Sequence, residues 1–199
     1  MSIRRIRVKA LRWALLALIP MALFIGPPWP EVSAIDYAMN WVGYAFLITG
    51  LGLRMWSMFY LGSRKSRELV TEGPFSICRN PLYVGTFMVL IGVSLCFENL
   101  VMLIFATSVA IPVHFVAVRS EERHLKELFQ DEYEAYCRST PRFLFRLANY
   151  RSSGTVSVST RVLRRVVIDV VGVALVPALA DLVDTLHIQG ILPVVWTFP

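Results

Sequence analysis

Two polar segments, one on each side of a pair of apolar runs, carry the side chains best suited to chemistry. The first, LVTEGPFSICRNPLYVG at residues 69–85, holds Arg79, Asn80 and Tyr83. The second, RSEERHLKELFQDEYEAYCRSTPRF at residues 119–143, opens on Arg119, Glu121 and Glu122. A guanidinium can grip a carboxylate or phosphate through two parallel hydrogen bonds, which makes Arg119 the candidate contact for an anionic group. Each residue also has an ordinary structural role. Asn80-Pro81 reads as a helix entry, because Asn caps well and Pro suits the first helical position. Tyr83 reads as an interfacial aromatic and Arg79 as a membrane-flanking cation. Glu121 and Glu122 suit a solvated helix. Their joint placement is what points to an active site.

That placement depends on the runs between them. Residues 82–97 are apolar, Glu98-Asn99 turns the chain, and residues 100–118 return, so both polar segments reach one membrane face. The first arm has only 16 residues, about 24 Å of helix against a bilayer core of about 30 Å. Such a short hairpin is expected to pack inside protein. Two further runs precede it. Residues 11–26 contain Pro20, which kinks a helix, and residues 37–60 are long enough for a tilted span. Arg54, about two turns from the end of the second run, is expected to snorkel towards water. A last run at residues 162–183 contains Asp169, Pro177 and Asp181, and its Asp169 must face protein or lie near the interface. It reads as a fifth span followed by a short surface segment, with a membrane-surface helix as the alternative.

Residues 121–138 pattern as a cytoplasmic amphipathic helix with Leu125, Leu128, Phe129, Glu132 and Tyr136 on one side. Glu122 with Lys126 and Glu134 with Arg138 have the spacing of favourable helical ion pairs. Pro141 stops the helix, and RSSGTVSVST at residues 151–160 reads as a linker. The expected fold is therefore all-α integral membrane, with about five transmembrane helices, including the short hairpin, and a cytoplasmic amphipathic helix. Residues 1–68 supply the N-terminal spans and the entry, residues 69–147 the catalytic core, and residues 148–199 the linker and C-terminal membrane helix.

Composition agrees. Hydrophobic residues make up 56% of the 199 and charged residues 17%, and mean hydropathy is +0.58, too apolar for a soluble domain of this size. A net charge of +6 suggests nucleic acid, but the basic residues lie between apolar runs, where topology accounts for them. Cys78, Cys96 and Cys137 are widely spaced, so neither a disulfide framework nor a metal site is expected. The basic head before the first run lacks a small-residue cleavage site after it, which reads as a retained signal anchor. If the runs alternate across the membrane, all 20 Lys and Arg fall on one side and Glu31, Asp36, Glu98, Asp181 and Asp184 on the other. The positive-inside rule makes the basic side cytoplasmic, with the N-terminus and the active site on it; in a bacterium this would be the inner membrane.

The two polar blocks resemble the isoprenylcysteine carboxyl methyltransferase family and, more broadly, the phospholipid-methyltransferase-like integral membrane methyltransferases. Leu69, Val70, Gly73, Phe75, Arg79, Pro81, Tyr83 and Gly85 match the family's first block. Glu121, Glu122, Leu125, Phe129, Tyr133, Tyr136, Pro141 and Arg142 match its second. Three positions depart: Asn80 stands where His is familiar, Gln130 where Gly is usual, and Ala117 at the offset of an acceptor-binding arginine. The resemblance implies S-adenosyl-L-methionine at the cytoplasmic end of the hairpin and a lipophilic methyl acceptor, a carboxylate by preference, arriving from the lipid bilayer. It further implies that Arg67, Glu68, Leu69, Val70 and Phe75 line the cofactor pocket. Asn80, Pro81, Leu82 and Tyr83 would follow at the helix entry, with Glu121 and Glu122 facing the cofactor's polar groups. Arg119, Tyr83 and Arg79 are the candidate catalytic residues. An NADPH-dependent reductase of the sterol type, which shares a related Asn-Pro-x-Tyr entry, and a non-enzymatic membrane subunit remain as alternatives.

Overall fold

The computed structural model describes residue 13 and residues 16–26, 33–62, 68–152 and 154–197. Arg67, expected in the cofactor pocket, lies outside the described residues. The described chain is helical apart from connections and one pair of two-residue strands. Residues 16–24 are helical and lead into β1 (Ile25–Gly26). Helix α1 (Ala34–Leu61) is followed by the short α2 (Pro74–Ile77), then α3 (Pro81–Cys96) and α4 (Leu100–Ser139). A single 3₁₀ turn (Leu147–Asn149) and α5 (Thr160–Ile188) lead to β2 (Trp196–Thr197), which pairs in parallel with β1.

Among the described residues, α1, α4 and α5 are long and apolar enough to cross a membrane, and α3 is a shorter apolar helix. Helices α3 and α4 form the expected hairpin. Asn99 makes its turn: its backbone N–H reaches the Ser94 carbonyl at 3.1 Å, and its side-chain oxygen accepts from the Met102 N–H at 2.8 Å, capping α4.

The chain forms two units. One comprises Met1–Ile48, Phe87–His114 and Gly172–Pro199, and the other Thr49–Thr86 and Phe115–Val171. In the first, Leu18, Met102 and Ala106 make one core cluster and Leu47, Cys96 and Ala180 another. Asn99 also donates to the carbonyls of Met21 and Ile25, and His187 meets the Leu23 carbonyl at 2.9 Å.

The second unit buries Val70, Ile77, Cys78, Ala117, Val118, Tyr133 and Tyr136. Arg54 does not snorkel. Its guanidinium pairs with Asp169 of α5 at 2.5 Å and donates to the Thr86 hydroxyl on α3. With both side chains roughly three-quarters buried, an ion pair answers the cost of unpaired charge in an apolar surround better than a long reach to water. Asp169 thus faces protein. Gly85 permits the same approach: a Cβ there would lie 2.7 Å from the Gly50 carbonyl oxygen.

Helix α4 differs from the expected single amphipathic rod. Gln130 has φ 40° and ψ −113°, so two helices meet at a kink. Leu128 and Glu132 are exposed, whereas Tyr133 and Tyr136 beyond the kink are buried. The expected charge pairs change with it. Residues eight apart lie about 12 Å apart along a straight helix, yet Lys126 and Glu134 meet at 2.7 Å. Glu122 binds Arg142 rather than Lys126.

Candidate functional site

A cavity of about 140 Å³ opens within the second unit, its walls drawn from both polar blocks. The segment that enters it is shaped by Gly73, whose φ of 57° suits only glycine and whose Cβ would lie 2.5 Å from the Tyr60 ring. Pro74 then opens α2, placing Phe75 on the cavity wall, and Pro81 opens α3 with Leu82 and Tyr83 in its first turn. Leu61, Glu68, Leu69 and Val70 complete this side, while Glu121, His124, Leu125 and Tyr136 form the other.

Hydrogen bonds join the two blocks. The Tyr83 hydroxyl donates to Glu121 Oε2 at 3.1 Å. The Asn80 amide donates to Glu122 Oε1 at 3.4 Å and to the Arg142 carbonyl at 3.2 Å. Glu122, only 12% exposed, takes both Nε (3.0 Å) and Nη2 of Arg142 and lies 3.9 Å from Arg79 Nη1. Those bonds hold the Arg142 guanidinium firmly protonated. Arg79 reaches the cavity and donates from Nη1 to the Cys137 sulfur at 2.6 Å, while its buried Nε has no hydrogen-bond partner. Tyr136 donates to the Phe75 carbonyl at 2.7 Å, and burial pushes its phenol well above the usual range, so it stays a donor. Burial raises the Tyr133 phenol and the Cys78 thiol as well.

The structure thus brings Glu68, Leu69, Val70, Phe75, Arg79, Asn80, Leu82, Tyr83 and Glu121 to one cavity. Pro81 and Glu122 do not line it: Pro81 is buried at the helix start and Glu122 is turned to Arg142. Arg119 is exposed and lies over the Phe115 ring at 4.4 Å, outside the cavity lining. Sequence reasoning missed Leu61, His124, Leu125 and Tyr136 as lining residues. His124 and Leu125 carried a signal, because positions three and four beyond Glu121 share its helix face.

The phospholipid methyltransferase family model matches residues 38–132. The cobalt-zinc-cadmium resistance protein CzcN of Cupriavidus metallidurans is 32% identical over 167 residues, covering 83% of this chain and 75% of that protein. The chain belongs to the isoprenylcysteine carboxyl methyltransferase-like family. The nickel-cobalt-cadmium resistance protein NccN of Alcaligenes xylosoxydans xylosoxydans is 37% identical over 126 residues, or 60% of this chain and 59% of that one. The protein-S-isoprenylcysteine O-methyltransferase of Rattus norvegicus is 30% identical over 126 residues, and the chain spans 43% of its length. Every cavity-lining residue except Tyr136 falls inside the family-matched region. The departure from the family pattern at Gln130 coincides with the positive φ of the α4 kink, where glycine is the unstrained choice. Among the described residues no group of three His, Cys, Asp or Glu is placed to hold a metal ion.

Proposed function

We propose that this protein is an integral membrane methyltransferase that takes its methyl group from S-adenosylmethionine and acts on a lipophilic carboxylate. The observation that carries the reading is the Tyr83–Glu121 hydrogen bond, which joins the two blocks inside a largely apolar cavity. The lining suits the cofactor. The Glu121 carboxylate, oriented by Tyr83, can take ribose hydroxyls or an ammonium, and Glu68 adds a second carboxylate. Leu69, Val70, Phe75 and Leu82 offer apolar and aromatic faces to the base and the positive centre. Arg79 adds a guanidinium to the same lining. The bound cofactor would supply an electrophilic sulfonium methyl.

The chain's own work is to hold the two partners in line and keep water out. A carboxylate acceptor is already ionised at neutral pH and needs no general base, so Asn80 in place of a histidine does not disable the site. Arg119, exposed at the end of the apolar part of α4 and outside the cavity lining, is the proposed contact for an anionic acceptor. The distribution of basic residues puts this site and the N-terminus on the cytoplasmic side of a five-span arrangement. The resistance names of two relatives suit an enzyme that modifies a membrane component on which resistance depends.

A reductase would need cations for the phosphates of NADPH. Among the described lining residues, Arg79 is the one guanidinium, set against Glu68 and Glu121. The test is calorimetric titration of the purified protein with S-adenosylmethionine and with NADPH, then transfer of labelled methyl to native membranes. Binding of S-adenosylmethionine and a base-labile labelled ester are expected; selective binding of NADPH refutes the proposal. Arg119→Ala should lower transfer by more than it lowers cofactor affinity.

A further inference from the structure

We infer that residues 143–150 form an interfacial anchor that docks into a leaflet of anionic phospholipid and holds the cavity at headgroup depth. Two hydrophobic residues in this segment are among the most exposed in the molecule: Leu144 at 79% and Leu147 at 74%. Phe143, Phe145 and Tyr150 are exposed beside them. A run of exposed apolar and aromatic side chains calls for a covering surface, and the charge around it selects one. From residue 135 to residue 168 the chain has seven arginines and no acidic residue. Arg146 and Arg151 are interleaved with the apolar positions and are themselves exposed. Aromatic and aliphatic side chains among arginines are the composition of a segment that lies in an acidic headgroup layer.

Position supports the same occupant. Tyr150 packs on Trp56 with ring centroids 6.0 Å apart, and the Tyr60 hydroxyl meets Ser152 at 3.2 Å. Trp56 and Tyr60 lie in the last two turns of the apolar helix α1, and Trp and Tyr at the end of a span mark the membrane–water boundary. The segment is also fastened to the wall of the cavity. The Arg146 N–H donates to the Ile77 carbonyl (3.0 Å), Arg79 N–H to the Pro141 carbonyl (2.9 Å) and Gly73 N–H to the Arg151 carbonyl (2.7 Å). Where residues 143–150 rest, residues 73–79 must rest as well. A site tied to headgroup depth would meet an acceptor whose reacting end is polar and whose body lies in the bilayer.

The anchor rests on the membrane reading of the chain and not on methyl transfer, so its test uses no cofactor. The full-length protein, carrying a photoreactive benzophenone amino acid at position 144, 147 or, as control, 131, is reconstituted into vesicles of equal phosphatidylglycerol and phosphatidylcholine. Asp131 is exposed and lies outside the segment. After illumination, lipid adducts are expected at 144 and 147, with phosphatidylglycerol exceeding phosphatidylcholine, and few at 131. Replacing Arg146→Gln and Arg151→Gln should remove that preference while adducts persist. Absence of lipid adducts at 144 and 147, or yields equal to that at 131, overturns the anchor. Equal yields of the two lipids in the parent protein overturn its preference for anionic headgroups.

Discussion

Glu121 and Glu122 are adjacent in sequence, yet the structure divides their work, and substituting each by glutamine should show it. Glu122 is 12% exposed and takes two bonds from Arg142 besides the Asn80 amide. Removing one partner of a buried ion pair costs about 3–5 kcal/mol. Arg142 is 38% exposed, so water recovers part of that, leaving about 2–3 kcal/mol for Glu122→Gln. At roughly 2–4 °C per kcal/mol for a chain of this size, the unfolding midpoint in detergent should fall by roughly 4–12 °C. Glu121→Gln keeps an oxygen for the Tyr83 hydroxyl and should move the midpoint little. On the proposed function it removes a charge-assisted hydrogen bond to the cofactor worth about 1.5–3 kcal/mol, or about 10- to 150-fold in Kd. Thermal scans at one heating rate, paired with equilibrium binding of labelled S-adenosylmethionine, separate the two. If Glu122→Gln loses cofactor affinity with an unchanged midpoint, or Glu121→Gln binds as the parent does, the division is wrong.

Gln130→Gly should relieve a strain of about 1–3 kcal/mol at the α4 kink, less about 0.5–1 kcal/mol for glycine's freedom in the unfolded chain, and so raise the midpoint. Gln130→Ala, which keeps the Cβ, should not, and the same scans compare them. Arg54→Leu should destabilise by about 2.5–3.5 kcal/mol by stranding Asp169 in an apolar setting, whereas Arg54→Leu with Asp169→Leu should recover most of the loss, as read by half-life at fixed temperature. A hydrogen bond from Lys126, helped by its charge, holds the Glu134 carboxyl below its usual range. The resulting stabilisation is present above the unfolded carboxyl pKa of about 4.3 and is lost as pH falls through the lower folded value. Acid titrations of the parent and of Lys126→Met, followed by circular dichroism, should therefore coincide at the acid end and separate slightly above about pH 4.5.

The hairpin was legible because each of its signals is local: Asn-Pro at one end, Glu98-Asn99 at the turn, and unbroken apolar runs between. The meeting of the two polar blocks followed from it, and the Tyr83–Glu121 contact is its result. The Arg54–Asp169 pair was not legible. Its members lie 115 residues apart, and each alone has a cheap explanation in snorkelling or in an interfacial position. The kink at Gln130 left one trace, a glutamine where the family pattern has glycine, but a side chain does not reveal its own φ. The division between Glu121 and Glu122 was only half legible. Successive residues on a helix point about 100° apart, yet neighbours such as His124 and Leu125 both line the cavity, so it is the distant Arg142 that turns Glu122 away.

The same geometry bears on the missing histidine. The amide of Asn80 is engaged by the Glu122 carboxylate and the Arg142 carbonyl, which ties the start of α3 to the chain beyond α4. That task asks for a donor of the right reach and does not ask for titration. The other polar lining residues include Glu121, Glu68 and Arg79, none of which depends on residue 80 carrying a proton. Asn80→His should therefore preserve cofactor affinity wherever the ring nitrogen can reach Glu122, and Asn80→Leu should loosen the join between the blocks without touching the acceptor. On the proposed function, a carboxylate acceptor arrives already ionised and asks no proton transfer of residue 80.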